Sequence, residues 1–180
     1  MEKIKHLVDK ISSINEETKI CPGTDREDVR IKLSDAGISS NQFVLDLLSW
    51  ANGVQSLDAF MHLMDVDSII DLSRIWNEVK VDTADCEEPF DIPETWIPLI
   101  DVNGDIQYGI DTSDNSVFMV DMEGDINKII CPDYRLMIDA ISKAIHTKAF
   151  IFNNEHGCFD NDNDQWQDVE VRSQPASSPS

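Results

Sequence analysis

The feature that most constrains this chain is a change of hydrophobic period. Before about Val79 the apolar residues recur every three or four positions. From Trp96 they alternate with polar ones in four runs: Trp96–Val102, Ile106–Asp111, Ser116–Asp121 and Ile126–Ile130. The first pattern is helical and the second belongs to strands. The links between the runs are VNGD, TSDN and MEGD. Asn-Gly and Glu-Gly tolerate the positive φ of tight hairpins. Links this short cannot carry a parallel crossover, which needs about a dozen residues. The segment therefore reads as an antiparallel meander.

Helices precede it. Ile4, Leu7, Val8, Ile11 and Ile14 predict a helix over residues 2–16, broken by Cys21-Pro22-Gly23. Residues 25–32 read as a second short helix. In "SSNQFVLDLLSWANG", Ser39 or Ser40 is the expected cap, Phe43, Val44, Leu47, Leu48 and Ala51 the stripe, and Asn52-Gly53 the stop. A strand is expected around residues 59–64. A helix capped by Asp67 follows, with Ile69, Ile70, Leu72, Ile75, Trp76 and Val79 facing inward. Residues 81–95, acidic and holding Pro89 and Pro93, read as a loop. After the meander, Asp133 caps a closing helix over "YRLMIDAISKAI". Helices and strands that segregate in this way predict an α+β fold, a central antiparallel sheet flanked by helices. The expected organisation is one domain over residues 1–150, with a polar acidic tail over 151–180 whose last residues are disordered.

Charge narrows the function. There are 35 Asp and Glu against 14 Lys and Arg, a net charge of −21. Such a field repels nucleic acid and anionic membranes and attracts cationic partners. No Lys or Arg falls between Lys80 and Lys128, an interval that holds Asp82, Asp85, Glu87, Glu88, Asp101 and Asp105 among thirteen acids. These six are the candidate contacts for a basic protein partner.

Chemistry is sparse. A calcium loop begun at Asp160 has Gln165 where Gly is needed and Val171 where Glu is needed; one begun at Asp101 has Ile106 and Thr112 there. The four histidines are scattered, with His62 on a strand rim. No C-x-x-C pair links Cys21, Cys86, Cys131 and Cys158. No nucleophile elbow or glycine-rich phosphate loop occurs. The expectation is no enzyme, cofactor or metal. The first ten residues lack a signal-peptide core, and no run reaches the roughly eighteen apolar residues of a membrane span. The expected location is the cytoplasm, with reduced thiols.

In order along the chain, four stretches carry a resemblance. "LLSWANGV" resembles the helix-ending signature of the SUKH superfamily. "WIPLIDVNGDIQYGID" is similar to its sheet-opening signature, with Asn103-Gly104-Asp105 in place of the usual Gly-Gly-Asp. "SVFMVD" is similar to the strand that follows, and "CPDYRLMIDAISKAI" resembles the closing helix, over roughly residues 25–148 in all. The superfamily comprises fungal cell-wall-synthesis regulators and bacterial immunity proteins. The resemblance implies a SUKH-like sheet without an active site. It also implies a cytoplasmic antidote, a monomer or weak dimer, that neutralises a basic, nuclease-like toxin domain. The alternative it leaves open is a regulatory or scaffold interaction module of the fungal type.

Overall fold

A computed structural model describes residues 1–86, 90, 92–121 and 126–161. Seven strands form one antiparallel sheet in which spatial order equals sequence order. They are β1 (Lys19–Pro22), β2 (Ala51–Gln55), β3 (Met61–Leu63), β4 (Trp96–Val102), β5 (Ile106–Asp111), β6 (Val117–Asp121) and β7 (Ile126–Cys131). The helices are α1 (Glu2–Ser12), α2 (Arg26–Asp35), α3 (Gln42–Trp50), α4 (Val66–Asp82) and α5 (Tyr134–Thr147). A two-stranded hairpin, β8 (Phe150–Asn153) with β9 (Cys158–Asn161), closes the described chain. The fold is α+β.

The first hairpin of the meander follows its turn chemistry, and the MEGD link, residues 122–125, lies outside the described residues. Asn103 and Gly104 both have positive φ, and the Asp105 amide donates to the Val102 carbonyl at 3.2 Å. Val102 then pairs with Ile106, and the register runs back to Trp96 opposite Asp111. Opposite residues share a face. One face therefore carries Ile100, Tyr108, Ile110 and Val117, and the other carries Trp96, Gln107, Gly109, Phe118 and Val120.

The two faces are covered differently. Over the first lie α1, α3 and α5, which bring Leu7, Val8, Ile11, Leu47 and Ile145 to a core shared with Ile97, Leu99 and Ile110. Over the second lies α4, whose Trp76 packs with Ile92, Trp96, Phe118 and Val120. The Trp76 ring stacks on Phe90 at 4.9 Å between centroids. Lys80 Nζ donates to the Ile92 carbonyl at 3.1 Å. The acidic connection after α4 is thus pinned to the helix by two apolar side chains, Phe90 and Ile92.

Several expectations are corrected. The first helix stops at Ser12, because Asn15 turns inward and its amide donates to the Ser56 carbonyl at 2.8 Å. Asn52-Gly53 is no helix stop: α3 runs straight into β2 at Ala51, and the Asn52 side chain accepts the Val66 amide at 2.9 Å. With β1, this adds two strands that the helical spacing of Phe43–Leu48 hides. The caps are Asn41 and Asp65, since these side chains accept the amides three residues on, Val44 at 3.1 Å and Ser68 at 2.9 Å. Asp82 ends α4 and is not in a loop. The expected polar tail begins with structure: Phe150 and Phe159 of the β8–β9 hairpin pack on the main core. Asp133 caps α5 as expected.

Candidate interaction surface

The six candidate acids divide three ways. Asp82, at the last residue of α4, and Asp85, in the turn after it, are exposed. Asp105, beside the β4–β5 turn, is also exposed. Glu87 and Glu88 lie outside the described residues.

Asp101 differs: although named among the candidate contacts, it is turned into the hairpin. Its side chain is only 15% exposed. One oxygen accepts the Gly104 amide at 3.0 Å; the other accepts Gln107 Nε2, also at 3.0 Å. His62 Nε2 stands 3.8 Å away across the β3–β4 pair. The positive-φ turn leaves the Gly104 N–H pointing back at the strand, and a carboxylate at Asp101 satisfies it. This acid locks the hairpin.

Asp111 plays a like role at the opposite end. It accepts Thr95 Oγ1 at 2.5 Å, Ser113 Oγ at 2.6 Å and the Ser113 amide at 2.8 Å. Partial burial opposes its ionisation, yet these donors more than offset it, so the carboxyl sits below its ordinary range. Asp114 accepts the Ser116 amide at 2.7 Å. Glu94, exposed just before β4, makes no side-chain hydrogen bond with a described residue, and neither do Asp82, Asp85 and Asp105.

Lys and Arg form ion pairs in other segments. Among the described residues, Lys3, Lys5, Arg26, Arg30, Lys32, Arg74 and Arg135 pair with Asp139, Glu2, Asp46, Glu27, Asp67, Asp71 and Asp133. All of these acids lie outside the Lys- and Arg-free interval. The free acids are not one cluster. Glu94 stands just before the start of β4 and Asp105 past its end, while Asp82 and Asp85 belong to the end of α4 and the turn after it. Seven residues of strand separate the two ends, about 20 Å at roughly 3.3 Å per residue.

The described residues offer no group of three or more His, Cys, Asp or Glu placed to hold a metal. The four thiols are free, with Cys86 the exposed one. No helix among the described residues is long and apolar enough to cross a membrane. No protein-family model matches this chain, and neither does any curated protein.

Proposed function

We propose that this chain is a non-enzymatic binding protein whose acidic side docks a basic protein, in the manner of a cytoplasmic antidote to a nuclease-like toxin domain. The observation that carries the reading is that four exposed acids find no neutralising partner among the described residues. Asp82, Asp85, Glu94 and Asp105 are exposed and unbonded to described residues, while the Lys and Arg side chains in ion pairs serve acids in other segments. Uncompensated like charge costs stability, and a cationic partner recovers that cost.

The separation of the two acidic ends is compatible with one partner. A standard interface covers about 800 Å² on each side, close to 28 Å across, so groups about 20 Å apart fit within it. A nuclease groove is positive because it must hold phosphates, and spaced carboxylates can occupy it in their place. The resemblance of "WIPLIDVNGDIQYGID" and its companion stretches to the SUKH superfamily supports the antidote form of the reading.

The test is co-purification with the product of the adjacent gene, followed by titration of the pair at rising salt. The expected complex weakens by about tenfold or more between 50 and 200 mM salt, and the partner's nuclease activity falls in proportion to complex formed. An affinity indifferent to salt would overturn the proposal.

A further inference from the structure

The sheet face that carries Ile100, Tyr108, Ile110 and Val117 is roofed by α1 and α5, but the roof does not close down on it. Helix α5 packs chiefly on α1, β7 and β8. Its inward residues Met137, Ile138 and Ile141 remain only half-buried and line a cavity of about 280 Å³ between helices and sheet. Close packing is the rule in protein interiors, and few voids exceed a water molecule. A dry apolar cavity of about 150 Å³ already admits benzene. The space here approaches the lower end of small-molecule sites, about 300 Å³.

We propose that this cavity is a binding site for a neutral, largely apolar small molecule, about the size of a medium-chain alcohol or a three-ring arylamine. The wall decides the class. Its side chains are overwhelmingly aliphatic and aromatic, and among the described residues no Lys, Arg or His side chain lines it. The ionisable groups on the wall, among the described residues, are Asp58, Tyr108 and Tyr134. The Asp58 carboxylate is already engaged by the Phe60 and Met61 amides at 2.9 and 2.8 Å. An anionic head group would lose its hydration without gaining a cation from the described wall, inside a chain of net charge −21. A hydroxyl or carbonyl fares better. The Tyr108 hydroxyl makes no hydrogen bond with a described residue, and the Asn161 side chain stands on the same wall. Burial, with Asp121 nearby, pushes the Tyr108 phenol up, so it stays protonated and able to donate.

The experiment uses the full chain and the neutral dye N-phenyl-1-naphthylamine, which brightens in apolar surroundings. The expected result is saturable uptake at one site, displaced by 1-decanol and not by decanoate. Ile138→Trp, which fills the space, weakens uptake by about tenfold or more with far-UV circular dichroism unchanged. Met137→Trp serves in its place if that variant does not fold. Phe60→Ala, at an exposed side chain outside the cavity, leaves uptake as it was. Absence of saturable uptake overturns the proposal. So does equal uptake by the filled variant, which would place the dye on the surface. Displacement by decanoate as readily as by decanol would overturn the assigned ligand class.

Discussion

The two faces of the sheet solve the same problem with different materials. On the α4 face a few large rings fill a small wedge: Trp76 stacks on Phe90, and Trp96 meets Phe118 edge-on at 6.5 Å. The indole N–H of Trp96 donates to the Phe118 carbonyl at 3.3 Å. On the α1 and α5 face many aliphatic side chains surround a hole. Rings fill space with few torsions and hold one arrangement. Branched chains spread over two helices must interdigitate to do so, and here they stop short. The first face is therefore rigid structure, and the second has room to accept something.

The largest expected effect tests the tight face. Trp96→Ala removes the ring at its centre and should cost about 3–5 kcal/mol, read by urea denaturation. Next comes Gly109→Ala. A Cβ there would lie 2.2 Å from the Ile97 carbonyl oxygen and 2.5 Å from the Trp96 indole nitrogen. That overpacking should cost about 1–3 kcal/mol. Equal tolerance at Ala would show that the aromatic wedge yields more easily than its geometry implies.

The open face should respond less. Ile141→Ala should cost only about 1 kcal/mol, against about 2–5 for a fully packed site, because part of the side chain borders empty space. A full-sized loss would mean that the cavity is closed in solution, and the contrast between the faces would fail.

Acid gives a smaller signal. The Asp111 pKa is lowered on folding from an ordinary 3.8. Its stabilisation is therefore present above that value and is lost as pH falls through the lower, folded value. Asp111→Asn should flatten the stability curve below pH ~4 by less than about 1 kcal/mol, since the group is partly solvated. The smallest effect belongs to the free acids. Replacing Asp82, Asp85 and Asp105 together by Asn should move stability within about 0.5 kcal/mol, while binding of the basic partner weakens measurably.

What the sequence discloses follows from how local each cause is. The β4–β7 strands were legible because alternation and a turn such as Asn103-Gly104 are short-range signals. Helix α5 was legible because Asp133 and its stripe sit together. Strands β1 and β2 were not, since "ANGVQ" owes its extension to pairing with Lys19–Ile20 and with Leu63, partners that spacing does not reveal. Charge was legible as a sum and not as a surface. Nothing in "DVNGD" tells that Asp101 is bound by Gly104 and Gln107 while Asp105 stays outside. The cavity was equally hidden, because a stripe such as Met137, Ile138 and Ile141 reads the same whether or not it meets a partner.

The sheet whose spatial order repeats its sequence order carries a consequence for how the molecule assembles. From β4 to β7 each strand can add to its predecessor by closing a short local loop, so that part of the sheet presents a short path for folding. The contact between α1 and α5 is the opposite case. Lys3 reaches Asp139 across 136 positions of chain, and α1 has no α5 to meet until every strand of the sheet has been made. Helix α1 precedes the sheet along the chain and α5 follows it, so their contact is expected to form late, and hydrogen exchange would find the α1 amides among the first to open.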